Sequence, residues 1–354
     1  MFVSIQVIQV SNLANNAIIS KAKSIYGTFL KADDYDKLIK MTSLPEVVTY
    51  LKRHPYYESL LLDIVPTTIH RGQLEALIRK NAFDTIFKLI KSVYSNDKSY
   101  YLLSIVKQEN ELILSVIRTI ISDDVMTIRG KVPYFFDVHT KIDLKKLLKA
   151  ETFEELMDAV KNTPFENILK PFYTKNKDMI RYLDIEFALE KHYYDEAFKR
   201  INENYQGKMN QQLKDIFYTK IELQNITKIY RLKKFYHADP LTIKQLLNTK
   251  QSRMKPEKID ELIQLKDPNS ILKYLSKSEW HYYKNDKDYV YIEYFAGKIK
   301  YDLAKKHMYF TNDVPLFYTA FVTLTDLQVD NLTNIVEGIR YGVFESELKQ
   351  MLIY

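Results

Sequence analysis

Cysteine is absent from the 354 residues. No disulfide, thiolate metal site or cysteine nucleophile can be built, and the composition fits a reducing compartment. Glycine is nearly as scarce, with 7 residues beside 10 prolines. All-β and α/β chains need many more glycines for tight turns, so the scarcity points to an all-α fold. Long apolar runs are lacking too. A membrane-spanning helix needs ~20 consecutive apolar residues, and the best candidate, LILSVIRTII at 112–121, is short and interrupted by Arg118. The apolar opening MFVSIQVIQV has neither a basic region before it nor a small-residue cleavage site, so it does not read as an export signal. A soluble chain is expected.

The signatures of chemistry are missing as well. There is no G-x-x-x-x-G-K-[ST] or G-x-G-x-x-G phosphate loop and no G-x-S-x-G elbow. The histidines His54, His70, His139, His192, His237, His281 and His307 never fall three or four apart, so no helix offers a histidine pair to a metal. His192 beside Glu190 and Asp195 comes nearest to a cluster, and surface helices bring such residues together routinely. No catalytic, cofactor-binding or metal-binding residue stands out, and no cofactor is implied. The net charge is +7. Residues 1–120 hold 15 basic and 11 acidic side chains, 121–235 hold 21 and 18, and 236–354 hold 16 and 16. The densest basic run is YRLKKFY at 230–236. Nucleic-acid binders concentrate their cations, so no nucleic-acid partner is expected.

What the chain does contain is a repeat. With Leu38, Leu147 and Leu262 in register, Leu44, Val47, Val48 and Leu51 match Phe153, Leu156, Met157 and Val160, and Ile271, Leu272 and Leu275. The spacing i, i+3, i+4, i+7 puts one apolar stripe on a helix. Ser43, Thr152 and Asp267 stand at the N-cap, with Glu46 and Glu155 three residues on to complete a capping box in the first two copies. Tyr56, Phe165 and Trp280 close the element, and Pro55 and Pro164 favour an extended exit.

A second helix carries Glu75, Lys80 and Asp84, then Glu186, Lys191 and Asp195, then Glu293, Lys298 and Asp302. The Lys–Asp pairs are i,i+4 contacts of a solvated face; a surface presented three times to a partner is the sharper reading. A third helix ends each unit on Arg118, Arg231 or Arg340, and a related helix opens the chain at 16–27. Helices that cannot bury a stripe alone bury it against neighbours. A period above 100 residues therefore means three similar helical domains, 1–120 with an extension at 1–12, 121–235 and 236–354. The 28 tyrosines divide between packing and interfaces.

Four stretches carry a family resemblance. SNLANNAIISKAKSIYGTFLKADDYDKLIKMTSLPEVVTYLKRHPYY (11–57), IHRGQLEALIRKNAFDTIFKLI (69–90), YTKIELQNITKIYRLKKFY (218–236) and DLQVDNLTNIVEGIRYGV (326–343) resemble, in order, the C subunit of V/A-type rotary ATPases, whose eukaryotic counterpart is the d subunit. The resemblance implies an all-helical funnel of three domains about a pseudo-threefold axis. It also implies a non-catalytic rotor connector, one copy per complex, on the cytoplasmic face of the membrane. Its partners would be the D and F subunits of the central stalk and the membrane ring of proteolipid subunits, which moves H⁺ or Na⁺. Two features depart from the family pattern: the first ten residues, and Leu112 where the other repeats have Asn225 and Asn334. Arg118, Arg231 and Arg340 are the partner-interface candidates, lining or bracing the socket; ion pairs stitching adjacent domains are the alternative. A free-standing helical scaffold of the same domain type remains the other reading of function.

Overall fold

The apolar stripes of the repeat become helix faces. In the computed structural model, which describes residues 16–93, 98–122, 139–277 and 292–354, every regular element among the described residues is helical. The principal helices are α1 (16–27), α2 (Arg71–Ile90), α3 (Leu103–Ser122), α4 (Tyr182–Asn204), α5 (Gly207–Phe235), α6 (Ile292–Phe310) and α7 (Val314–Tyr341), joined by shorter ones. The expected extension at 1–12, the closing residue Trp280, His281 and residues 123–138 just past the expected boundary lie outside the described residues.

The helix starts fall where the repeat puts them. Leu44–Leu51 follows Ser43 and Phe153–Ala159 follows Thr152, burying Val47, Val48 and Leu51 in one copy and Phe153 and Leu156 in the other. Thr152 Oγ1 accepts the Glu155 N–H at 3.2 Å while the Glu155 carboxylate accepts the Thr152 N–H at 3.2 Å, a reciprocal box. Ser43 departs from the expectation. Its hydroxyl makes no capping bond; Pro45 removes the N–H at one of the two positions such a cap serves, and the Glu46 N–H at the other is not taken up. Glu46 instead accepts the Thr42 N–H at 2.9 Å, as Glu155 accepts that of Glu151 at 2.7 Å. Asp267 Oδ1 accepts the Asn269 N–H at 2.9 Å in the third copy. The extended exit before Pro164 lasts a single residue. Thr163 is extended and caps a new helix, Pro164–Leu169, because proline restricts the residue before it yet suits a first helical turn.

Two compact units form: one from the described residues up to Lys98 together with Tyr218–Tyr354, the other from Ser99–Phe217. One rule governs packing in both. The helix that ends a sequence repeat lies against the first elements of the next. In the second unit α3 packs on α4 and on Phe153–Ala159, and Ile113, Val116, Ile117, Leu156, Ile185 and Leu189 are buried there. In the first unit α5 contributes Leu223, Ile226, Ile229 and Tyr230 to a core with Ile243, Ile259, Leu262, Ile271 and Phe295. The last helix, α7, serves the first repeat. Val329, Leu332, Ile335 and Val336 share a core with Tyr35, Leu38, Val47, Leu51 and Leu74, and Leu348 and Leu352 of the tail join them. Gly338 allows the tail this close, since a Cβ there would stand 2.3 Å from Leu348 Cδ2. Each fully buried aliphatic side chain of such a core stabilises by about 1.5–3 kcal/mol.

Candidate functional site

Each repeat-ending helix carries a buried polar side chain on its apolar face. Glu109, Glu222 and Asn331 each stand nine residues before an aligned arginine. A buried polar group must find partners or cost free energy, and all three find them in the segment packed against the helix. Glu109 Oε1 accepts from Thr140 Oγ1 at 2.6 Å, just ahead of the first helix of the second repeat. Glu222 accepts from the Arg253 N–H at 2.9 Å, its Nε at 3.1 Å and its Nη2 at 3.0 Å, just ahead of the helix Pro256–Gln264. Asn331 takes both backbone groups of Ile353, donating at 2.8 Å and accepting at 2.9 Å. One turn earlier Gln328 Oε1 accepts the Leu30 N–H at 2.8 Å, ahead of the helix Ala32–Leu38, and its amide donates to the Tyr57 hydroxyl at 3.1 Å. Asn225 holds the backbone of Asn248 by two 3.0 Å bonds. Polar latches thus pin the entrance of each repeat to the helix that precedes it, and in the first unit the last helix closes on the first repeat.

The three candidate arginines lie beyond these latches, exposed near the helix ends. Arg118 donates to the Tyr182 hydroxyl at 3.3 Å and covers its ring at 5.9 Å. Burial pushes the Tyr182 hydroxyl up, with Glu186 adding to the rise and Arg118 opposing it. Arg231 Nε lies 3.6 Å from Glu293. Arg340 covers Tyr341 at 5.0 Å and helps stabilise the charge of Glu75. Each arginine therefore acts near the repeated glutamate of the second helix packed beside it. Large apolar side chains stand exposed around all three: Ile121, Met179 and Leu183 near Arg118, Phe235 and Tyr236 after Arg231, Tyr341 and Phe344 after Arg340. Two of the expected helix-surface pairs form, Lys80–Asp84 at 2.7 Å and Lys298–Asp302. His192 packs edge-on against Phe165 at 5.4 Å, and burial lowers its affinity for a proton. Among the described residues no group of His, Asp and Glu could hold a metal ion.

The Arg340 neighbourhood contains a charge conflict. Arg71 serves two carboxylates, lying 3.7 Å from Glu75 Oε1 and bonding Glu337. Glu75 Oε1 and Glu337 Oε2 are buried without a hydrogen-bond partner among the described residues. Burial raises the Glu75 proton affinity, Arg71 opposes the rise and Glu337 adds to it. A carboxyl raised in the folded state binds its proton more tightly there than in the unfolded chain. Stability is then full below the unfolded glutamate range, near pH 4.3, and falls as pH rises through the folded value. Glu75→Gln should raise the Tm at pH 7–8 and flatten its dependence on pH above 4.3, which a thermal melt series would check. An unchanged slope would rule the conflict out.

The ends of α5 and α7 stop differently. α7 ends on Gly342 in the left-handed region at φ 63°, with the Val343 N–H donating back to Gly338 O at 2.9 Å, a glycine stop. At the end of α5 the left-handed residue is His237, φ 47°, and the Ala238 N–H closes the turn on Leu232 O at 3.0 Å. An L side chain there costs roughly 1 kcal/mol. His237→Gly should therefore stabilise by about 0.5–1 kcal/mol, measured by urea unfolding; a loss of stability would mean that the imidazole holds the turn.

Repeated helices with latched joints thus end in exposed arginines, with exposed apolar side chains close by in sequence. The model of the ATP synthase (C/AC39) subunit family matches residues 18–351. The chain belongs to that family. It is 25% identical over 270 residues to the C subunit of the A-type ATP synthase of Methanosphaera stadtmanae, an alignment covering 74% of this chain and 65% of that relative's length. No helix among the described residues is long and apolar enough to cross a membrane.

Proposed function

We propose that the chain is the connector of a V/A-type rotary ATPase. It joins the D and F subunits of the central stalk to the membrane ring of proteolipid subunits, one copy per complex, on the cytoplasmic face. The three repeats, divided at residues 120 and 235, form a funnel of similar helical domains about a pseudo-threefold axis. The connector does no chemistry of its own; torque from ATP hydrolysis passes through it to the ring that moves H⁺ or Na⁺. The observation that supports this best is the recurrence, once per repeat, of an exposed arginine among exposed apolar side chains at a latched helix end. A torque-bearing part needs both features: stiff joints between modules and equivalent contacts around an axis.

The test is titration of the purified chain with a co-expressed D–F pair, by size-exclusion chromatography and calorimetry. A saturable one-to-one complex is expected. Arg118→Ala, Arg231→Ala and Arg340→Ala should each weaken it while the Tm holds. Unchanged binding with a lowered Tm would make the arginines stitches between domains, and no complex at micromolar concentration would overturn the socket.

A further inference from the structure

The lysines that are dilute along the sequence are gathered at one end of the first unit. Segments 16–29, 85–93 and 303–312 contain no carboxylate, and helix α1 brings them together. Lys21 Nζ donates to Lys88 O at 3.1 Å and to Ser92 Oγ at 3.0 Å, which sets α1 against the end of α2. Tyr26 is hydrogen-bonded to Tyr301 of α6, and Lys23 covers Phe317 of α7 at 5.8 Å. Lys21 and Lys23 of α1 thus lie close to Lys88 and Lys305, with Lys91 and Lys306 in the same adjoining segments. Of the carboxylates bordering these segments, Asp84 pairs with Lys80, Asp302 with Lys298, and Asp313 accepts from Thr311, while Asp33 lies exposed four residues past Phe29.

Beside these cations stand two exposed rings. Tyr309 is 62% exposed and Phe310 83%, at the very end of α6. Lysines at the ends of α2 and α6 also complement the helix dipoles, but that leaves the adjacent exposed rings unexplained. A three-residue turn leads from Phe310 into α7, whose 28 residues carry Arg340 about 40 Å away. The patch is therefore separate from the Arg340 end.

We propose that this end of the unit docks on an anionic lipid bilayer surface. Tyrosine and phenylalanine settle at the boundary between headgroups and acyl chains. Lysines around them meet the lipid phosphates, each adding to the attraction. All six cations are ammonium groups rather than the guanidinium forks that suit nucleic-acid recognition, and the family works in a membrane complex. The contact would hold the protein to the membrane plane independently of any stalk.

Flotation of the full chain with liposomes tests it. Binding is expected to phosphatidylcholine containing roughly one-third phosphatidylglycerol and not to phosphatidylcholine alone. It should be lost as salt rises from about 0.1 to about 0.5 M. Lys305→Gln with Lys306→Gln should weaken it roughly 30-fold, and Phe310→Ser roughly tenfold, with melting curves held near the parent's. Three results would overturn the proposal: no binding to the anionic liposomes, parental binding by both variants, or tighter binding to a DNA duplex than to the liposomes.

Discussion

A chain ending at Gly342 should lose the core of its first repeat. The missing segment, 343–354, carries Leu348 and Leu352, both 2% exposed, and Ile353 at 9%. At about 1.5–3 kcal/mol for each buried aliphatic side chain, the apolar loss alone is several kcal/mol. Tyr354 no longer stacks on Tyr35 at 4.7 Å. Asn331 loses both bonds to Ile353, and a buried amide without partners costs a further ~1–3 kcal/mol. Against a total stability of roughly 5–15 kcal/mol, the first repeat would open well before the rest. The Lys349–Asp36 pair at 2.8 Å also goes, but it is exposed and contributes little. Hydrogen exchange would read the result residue by residue. Amides at Leu38, Val47 and Leu51 should lose protection while those at Ile185 and Leu189 in the other unit keep theirs. A single melt at the parental temperature would show that the tail is dispensable and that α7 alone holds the closure.

That closure marks the limit of what the sequence discloses. The helix starts at Thr152 and Asp267 are legible because cap and first turn lie within three residues, and the stripe through Val47, Val48 and Leu51 because its partners recur every third or fourth position. Ser43 shows the limit of such a reading, since the same cap residue and the same glutamate three residues on form no side-chain cap there. The latches are not legible in this way. Gln328 and Leu30 lie 298 residues apart, and an isolated glutamate or glutamine on an apolar stripe looks like an error of pattern until its partner is known. A signal does exist: Glu109, Glu222 and Asn331 hold one place relative to Arg118, Arg231 and Arg340, and three polar residues at one slot of three apolar faces mark a buried network. The arginines emerge from that same recurrence, but their apolar surroundings do not, because Tyr182, which Arg118 covers, and the exposed Leu183 beside it belong to another helix. The lysine patch is invisible in the sequence for the same reason, its cations arriving from three distant segments that each carry only a few.

Phe235 and Phe344 should be the residues on which partner binding depends most. Each stands four residues past an aligned arginine, Arg231 or Arg340, and they are 61% and 78% exposed. Exposed side chains contribute little to stability, so Phe235→Ser and Phe344→Ser should leave unfolding within ~0.5 kcal/mol of the parent. At the centre of an interface the same rings would be anchors worth about 2 kcal/mol or more, roughly 30-fold in Kd for each and near a thousandfold together. Calorimetry against the D–F pair and, separately, against the detergent-solubilised ring would say which partner these ends meet. Phe310→Ser is the control. It removes an even more exposed ring from the far end of the α6–α7 hairpin, so it should bind both partners as the parent does while failing on anionic liposomes. If Phe235→Ser and Phe344→Ser bound both partners at parental affinity, the arginine ends would be joints within the protein, and the contacts that carry torque would have to be sought on the hairpin ends instead.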